Sequence, residues 1–315
     1  MSTARTITLV ASLSLVVLLQ TACATRPDNR CGFWIDVYNG EPVSYTDLVD
    51  DLAGVRVVYL GERHTLERHH DLQERIVRDL AARGVPLVLA LEQLEYPSQP
   101  ALDRYNEGEI DFDELAKETD WAKRWSNYEQ YRPVVEAAHA AGAPVLALNA
   151  RSETIRQVGR KGLEGLPPET RAELPVEIVV DDPMYRSHLN RVLMVHAHMP
   201  EAMMKTVFEA QVSRDETMAD RLCAFLKSPA GEGRCAVVLC GSGHVSHAMG
   251  TPSRVRRRMP EITDRILVLT GSGDVEISEK MRAMTREITI THKQLRELTV
   301  PIADYLHATS LKPEP

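Results

Sequence analysis

Two Gly-x-x-His motifs follow apolar runs at widely separated places in the chain, and this repetition constrains the fold more than any other feature. The first motif is Gly61-Glu62-Arg63-His64 after residues 55–60, and the second is Gly241-Ser242-Gly243-His244 after residues 235–240. Each run has the length and apolar character of a buried parallel strand. Both histidines are therefore predicted where a strand ends in a turn that glycine permits. Ligands bind at this edge of an open α/β sheet.

Two further polar residues, Glu92 and Asn149, end apolar runs in the same way, after residues 86–91 and 144–148. A polar residue at a strand end often marks only the start of a loop, and for each position alone this is the simpler interpretation. All four apolar runs are followed by polar side chains at equivalent places, and the only Lys or Arg among these is Arg63. We therefore predict that four strands direct side chains to one rim of the sheet.

Helical patterns alternate with these strands, as expected of βαβ units. A helix is predicted over about 67–83, helical stretches over 98–141, and a further strand over 265–270. From residue 151 to about 226 the strand pattern is absent, which predicts a helical insertion. The predicted fold class is α/β, with a mostly parallel sheet flanked by helices and a helical insertion (lid) subdomain.

The N-terminus has the features of a secretory signal peptide. Arg5 precedes an uncharged, mostly apolar run over residues 7–19, which is too short to cross a bilayer as a mature helix. The segment Gln20-Thr21-Ala22-Cys23 resembles a bacterial lipobox. We therefore expect a signal peptide over 1–22 and lipidation of Cys23, with ordinary cleavage near Ala24 as the alternative. The expected location is the cell envelope, lipid-anchored at the outer membrane and facing the periplasm or the surface.

The expected domain organisation follows from these features. After the signal peptide we expect a linker over 23–40, one main domain over 41–310 that contains the insertion, and a disordered tail over 311–315. Some 290 residues are enough for one α/β domain with a sizeable core.

Charge argues against nucleic acid as a partner. The formal net charge is −8, and basic residues cluster only at Arg254 and residues 256–258. This short run follows the second motif, so it is either a contact for an anionic ligand or a solvated helix face.

The cysteines leave a disulfide open. Cys223 and Cys235 flank a Pro-Ala-Gly-Glu-Gly turn and could close a small loop, since an extracytoplasmic location permits disulfides. Cys240 lies inside an apolar run and is predicted to be a small buried residue. No Cys-x-x-Cys pair occurs, so a structural zinc site is not supported.

The rim residues suit two kinds of chemistry. Glu62, His64, Glu92 and His244 offer carboxylate oxygens and imidazole nitrogens, which bind divalent transition metals and also serve as general acids and bases. Glu62, His64 and His244 are the metal-ligand candidates. Of the adjacent His69 and His70, at most one is expected to face the site, the other being a capping or surface residue.

The insertion is rich in methionine and histidine, with tyrosines nearby in sequence. Such a surface suits a broad, flat ligand with a metal, and haem is one such ligand, since it takes axial coordination from His, Met or Tyr. Composition alone favours the simpler interpretation, in which these are ordinary helix-core residues.

Taken in order, several motifs resemble the ChaN family over about residues 40–270. They are Leu60-Gly61-Glu62-Arg63-His64 with His69-His70, Ala90-Leu91-Glu92, Trp121 and Trp125 before Tyr128–Pro133, Leu148-Asn149-Ala150, Ala210-Gln211 with Asp215–Ala219, and Gly241–Val245.

ChaN-like proteins are iron-regulated, haem-binding bacterial lipoproteins, in a superfamily with the Tiki metalloproteases and erythromycin-esterase-like enzymes. The resemblance implies an α/β core, a helical subdomain, and a homodimer that sandwiches two haems with a tyrosine as axial ligand. Glu62, His64 and His244 match the family motifs. Several tyrosines lie in the right region, so the haem-ligand candidates are Tyr131, Tyr185 and His188.

The leading hypothesis is a lipid-anchored haem-binding protein of haem or iron uptake, with an outer-membrane haem receptor as a partner. The alternative is a metal-dependent hydrolase, an esterase or a peptidase, that acts at Glu62, His64, Glu92 and His244. Such an enzyme needs two or three metal ligands, an open coordination position and a carboxylate that accepts a proton from bound water.

Overall fold

The structure is a computed structural model that describes residues 32–193, 200–271 and 299–309. The strands are β1 (Gly32–Asp36), β2 (Glu41–Val43), β3 (Val57–Glu62), β4 (Leu87–Glu95), β5 (Val145–Asn149), β6 (Cys235–Gly241), β7 (Asp264–Leu269) and β8 (Tyr305–Thr309). The α-helices are α1 (Tyr45–Leu52), α2 (Glu67–Ala82), α3 (Gln99–Asn106), α4 (Phe112–Glu118), α5 (Trp121–Arg124), α6 (Arg132–Ala140), α7 (Ser152–Lys161), α8 (Pro168–Arg171), α9 (Pro183–Leu193), α10 (Glu201–Lys227) and α11 (Thr251–Arg258).

All eight of these strands form one sheet in the order β2-β1-β8-β7-β3-β6-β4-β5. Neighbours from β8 to β5 are parallel, whereas β1 pairs antiparallel with both β2 and β8. The predicted fold class is confirmed, and each predicted strand overlaps an observed one, although β4 continues to Glu95, four residues beyond the predicted end. The described part of 151–226 contains helices α7 to α10 and no strand, as the sequence predicts.

Helices cover both faces of the sheet and bury two cores. One core packs α1, α2, α3, α4 and α6 through residues such as Leu48, Ile76 and Val135. The other packs α10 and α11 through residues such as Met218, Leu222 and Val255. Because strands covered on both faces bury every side chain, β3 and β6 are buried along their whole length, which explains their continuous apolar runs.

The structure corrects the predicted linker. Residues 32–36 of the segment 23–40 form β1, whose Trp34 is 5% exposed and packs with its ring centroid 4.8 Å from that of His307 on β8, the two rings being tilted by 60°. Neither β1 nor β8 has the long apolar run of a central strand, because both lie toward the antiparallel end of the sheet. The sequence pattern therefore did not reveal them.

The suggested disulfide is also wrong. Cys223 and Cys235 are both buried free thiols. Cys223 belongs to the core beneath α10, whereas Cys235 belongs to the core on the opposite face of the sheet, so the sheet separates them. Burial raises the pKa of the Cys223 thiol to about 11 and that of Cys235 to about 12. Cys240 is buried as predicted.

In the described part of the chain, no helix is long and apolar enough to cross a membrane. The predicted signal peptide, Cys23 and the tail 311–315 lie outside the described residues, as do the lid residues Met194, His196, His198 and Met199.

Candidate functional site at the carboxyl edge of the sheet

The four strands that carry the predicted rim are neighbours in the sheet. β3, β6, β4 and β5 lie side by side and parallel, so their carboxyl ends share one edge. This brings together the Glu62, His244, Glu92 and Asn149 regions, and the Asn149 side-chain amide donates to the Glu92 carbonyl at 2.9 Å. The prediction that these strand ends form one rim is confirmed.

The motif glycines allow the two loops to approach each other closely. A Cβ on Gly241 would lie 2.9 Å from His64 Nε2, and a Cβ on Gly61 would lie 2.7 Å from Val245 Cγ2. Neither glycine has a positive φ. The sequence interpretation of turn-forming glycines is therefore corrected: Gly61 and Gly241 provide clearance between the two motifs rather than a left-handed turn.

The Glu62 carboxylate is the centre of the first cluster. Its Oε1 accepts hydrogen bonds from His64 Nδ1 at 2.7 Å, Tyr131 Oη at 2.6 Å and Gln93 Nε2 at 2.9 Å. Its Oε2 accepts from Gln73 Nε2 at 2.6 Å and lies 3.3 Å from His70 Nδ1. Burial alone would raise the pKa of Glu62, but the hydrogen bonds from His64 and His70 hold it well below its usual range.

His244 is the centre of the second cluster. Its Nδ1 donates to Asp215 Oδ1 at 2.7 Å, and its Nε2 lies 3.3 Å from Glu92 Oε1. Glu92 Oε2 accepts from the Gly241 backbone N–H at 2.6 Å. Burial would lower the pKa of His244, but the charges of Glu92 and Asp215 raise it to about 10. Burial would raise the pKa of Glu92, but the charge and hydrogen bond of His244 lower it to about 2.

His64 lies between the two clusters. Because Nδ1 donates to Glu62, Nε2 is the nitrogen that faces Gly241 and the Glu92 side of the rim. The side chain is 32% exposed, unlike the other rim side chains, and its ring contacts the edge of Trp125 at 4.7 Å. Burial lowers the pKa of His64, but the Glu62 hydrogen bond and the Glu92 charge outweigh burial and raise it.

Of the paired histidines, His70 faces the Glu62 cluster, as at most one was expected to do. His69 is also buried, so it is not a surface residue. Its Nδ1 accepts from the Arg63 N–H at 3.0 Å, and its Nε2 donates to the Thr270 carbonyl at 3.1 Å. Burial lowers the pKa of His69 to about 4. His69 therefore holds the loop after β3 in its neutral form.

The three haem-ligand candidates lie in different surroundings. Tyr131 is fully buried with its hydroxyl on Glu62, and Tyr185 is 1% exposed with its hydroxyl on Asp215 at 2.7 Å. Both tyrosines therefore lie beside the rim, a position that the sequence did not predict, and each hydroxyl donates to a carboxylate there. His188 on α9 is half-buried, and its ring centroid lies 5.1 Å from that of His247.

The arginine run after the second motif is held by ion pairs rather than forming an open anion site, and its Arg256 and Arg257 are exposed. Arg257 and Arg258 both lie 2.7 Å from Glu216 Oε2, and the fully buried Arg254 lies 3.5 Å from Glu216 Oε1. Arg256 pairs with Asp264 at 2.7 Å. The run anchors α11 to α10 and β7.

Comparison with known proteins identifies the family. The chain matches the family described as "Haem-binding uptake, Tiki superfamily, ChaN" over residues 48–255, which is more than half of its length. The chain belongs to this family. A solved structure of cofacial haem binding to ChaN of Campylobacter jejuni has a TM-score of 0.65 at 20% identity, covering 89% of this chain and 97% of that one.

More distant solved structures have similar coverage but weaker agreement. An erythromycin esterase in its open conformation matches at 10% identity over 75% of this chain and 76% of its own, with a TM-score of 0.45. A succinoglycan biosynthesis protein matches at 11% identity over 72% and 70%, with a TM-score of 0.43. These values support no functional inference. No curated protein sequence matches the chain.

The predicted metal ligands of this ChaN-family chain already make hydrogen bonds to other side chains of the protein. In residues 32–193, 200–271 and 299–309, no three His, Cys, Asp or Glu side chains are arranged to hold a metal ion. Glu62, His64 and His244 instead belong to two hydrogen-bonded clusters. The metal role of these residues stays a prediction.

The contacts of several rim residues of this ChaN-family chain were not predicted from the sequence. Gln73 lies three residues after His70 on α2, so helical spacing could have revealed it. Gln93 follows Glu92, and strand alternation sends it to the opposite face, into the Glu62 cluster. Asp215 comes from the middle of α10, and no local pattern connects it to His244.

The pKa shifts at the rim predict how stability depends on pH. His244 has its pKa raised from 6.5 to about 10, so its ion pairs stabilise the fold fully below pH 6.5, and that contribution is lost as the pH rises through about 10. Glu92 has its pKa lowered from 4.5 to about 2, so its contribution is present above pH 4.5 and lost as the pH falls through about 2.

We therefore expect the free energy of unfolding to decrease between pH 6.5 and pH 10 in the wild type, and to decrease less steeply in His244→Gln. Urea denaturation across this range measures both slopes. His139→Gln, at a half-buried histidine on α6, should keep the wild-type slope. Equal slopes for the wild type and His244→Gln would contradict the assignment.

Proposed function

We propose that this chain binds haem in haem or iron uptake, with the haem iron held at the lid rather than at the rim. Membership of the haem-binding uptake family over residues 48–255 is the observation that carries the proposal. Haem iron takes axial ligands from His, Met, Cys or Tyr. The remaining question is which side chain of this chain can supply one.

The two candidate tyrosines fit this role poorly in the present conformation. A tyrosine that ligates ferric haem does so as the deprotonated oxygen, and both hydroxyl protons here are donated to carboxylates. Burial and the Glu62 charge raise the pKa of Tyr131, and burial and Asp215 raise that of Tyr185. Ligation by either tyrosine would require deprotonating a buried phenol beside a carboxylate.

The His188–His247 pair fits better. His247 Nδ1 donates to the Val300 carbonyl at 2.8 Å, which leaves its Nε2 as the nitrogen with a lone pair. Ligating histidines usually donate their other ring N–H in this way. His247 also has a φ of +57°, a left-handed conformation uncommon for residues other than glycine. Such backbone strain concentrates at functional sites.

We expect His188→Ala and His247→Asn to weaken haem binding by roughly tenfold or more and to shift the visible absorption bands. Asparagine at position 247 tolerates the left-handed backbone better than alanine. Tyr131→Phe and Tyr185→Phe should keep the wild-type spectrum. Titration of ferric haem into each purified variant, followed by absorption spectroscopy, measures both properties.

Loss of the spectrum in only one of the tyrosine variants would assign the ligand to that tyrosine and overturn the histidine assignment. An absence of saturable binding in the wild type would overturn haem binding itself.

We also propose a homodimer that encloses two haems. Sedimentation velocity of the loaded protein should then give a dimer, and a loaded monomer would contradict it.

We further propose that Cys23 carries the lipid that anchors this protein at the outer membrane, where a haem receptor is its partner. The lipobox-like Gln20-Thr21-Ala22-Cys23 supports the proposal. Several acyl chains on one cysteine hold a folded domain firmly at a bilayer, since each buried CH₂ contributes about 0.8 kcal/mol. Cys23→Ser should move the protein from the membrane fraction to the soluble fraction, and its retention with the membranes would contradict the anchor.

A second candidate function, hydrolysis by acid–base chemistry at the rim, is favoured by the geometry of His64. Glu62 orients the ring through Nδ1, so Nε2 is the atom that exchanges a proton, as in carboxylate–histidine dyads of hydrolases. The partial exposure of His64 gives a substrate access to it.

If the rim is hydrolytic, His64→Ala should lower the turnover of a p-nitrophenyl ester by about a hundredfold or more, the scale of general acid–base catalysis. Haem binding at the lid should persist in this variant, and His139→Gln should retain both properties. Loss of turnover with a chelator would indicate the metal-dependent version of the reaction. Equal turnover in the wild type and His64→Ala would eliminate this candidate.

A further inference from the structure

A cleft of about 480 Å³ opens beside the rim, at the carboxyl ends of β4 and β5. Its lining includes Glu95, Trp125, Asn149 and Arg214, from four different parts of the chain. The volume is within the range of small-molecule sites, about 300–1,000 Å³. Neither haem coordination at the lid nor proton transfer at His64 gives this cleft a role.

One cationic side chain in the lining of the cleft has no acidic partner among the described residues. The lining contains four cationic and three acidic side chains, and three ion pairs account for all but one of them. The pairs are Lys123 with Asp120 at 2.6 Å, Arg156 with Glu153 at 2.9 Å, and Arg124 with Glu95. Arg214 on α10 is half-buried and has no hydrogen bond or ion pair to another described residue.

Asn149, which lines the same cleft, carries an unpaired acceptor. Asn149 is 7% exposed, and its Oδ1 has no hydrogen-bond partner among the described residues. The orientation of the amide is fixed because its Nδ2 donates to the Glu92 carbonyl. A buried polar atom without a partner costs free energy, so a ligand that donates a hydrogen bond to Oδ1 would remove that cost.

We propose that this cleft binds a small monocarboxylic acid that also carries a hydroxyl group. Arg214 pairs with the carboxylate, since a guanidinium matches carboxylate geometry through two parallel hydrogen bonds. Asn149 Oδ1 accepts from the hydroxyl, and the half-buried Trp125 offers an aromatic surface for an apolar substituent. The single unpaired cation, Arg214, matches the single negative charge of a monocarboxylate.

The test uses the purified full-length protein without added haem and three probes in isothermal titration calorimetry. The probes are 3-phenyllactate, 3-phenylpropionate, which lacks the hydroxyl, and the methyl ester of phenyllactate, which lacks the charge. We expect phenyllactate to bind most tightly, with each of the other probes weaker by about tenfold.

Arg214→Gln should weaken phenyllactate binding by about tenfold to a hundredfold and abolish its preference over the methyl ester. Arg214→Lys keeps the charge but loses the paired hydrogen bonds, so its affinity for phenyllactate should fall between those of the wild type and Arg214→Gln. Arg221→Gln is the matched control, because Arg221 lies on the same helix but stacks on Tyr96 at 4.1 Å instead of lining the cleft. Circular dichroism verifies that each variant is folded.

Three results would overturn the proposal: no probe binding at millimolar concentration, equal affinity for phenyllactate and its ester, or unchanged affinity in Arg214→Gln. Because no haem is added, these outcomes are independent of whether the lid binds haem.

Discussion

The Glu62 carboxylate is the acceptor on which the geometry of the rim depends. It receives hydrogen bonds from the loop after β3, from α2, from β4 and from Tyr131 beside α6. A buried carboxylate is tolerated only when such donors replace its hydration, and here they do so from several separate segments. The same bonds orient His64 and keep Glu62 ionised. One residue at the end of a central strand thus connects the sheet, α2, the segment before α6 and the partly exposed His64 imidazole.

The sequence predicted the elements that hold this arrangement because parallel strands leave a strong local signal. Central strands buried on both faces must be apolar throughout, so β3, β4, β5 and β6 stood out, and their polar terminal residues fell at one edge. The lateral strands β1 and β8 carry no such signal. Their place in the sheet depends on pairing between residues more than 260 positions apart, which no local pattern specifies.

The chemistry of the rim was less predictable than its position, because it depends on which charges tertiary packing brings together. Asp215 converts His244 from a simple motif histidine into a buried cation between two carboxylates. Tyr131 and Tyr185 are of a residue type that can ligate haem, yet the hydroxyl groups of both donate hydrogen bonds to carboxylates. The arginines after the second motif looked available for an anion until Glu216, from a distant helix, accounted for three of them.

These saturated contacts determine where a ligand can be recognised. A polar group already satisfied inside the protein gains little from binding, because an old hydrogen bond must be given up for each new one. Glu62, Glu92, Asp215 and Glu216 are in that position. Groups that retain capacity include the Nε2 atoms of His64 and His247, the Arg214 guanidinium and Asn149 Oδ1. In the proposed arrangement, haem and the small acid are therefore recognised beside the hydrogen-bonded carboxylates of the rim, at the lid and at the β4–β5 cleft, which differ in chemistry and can select different ligands.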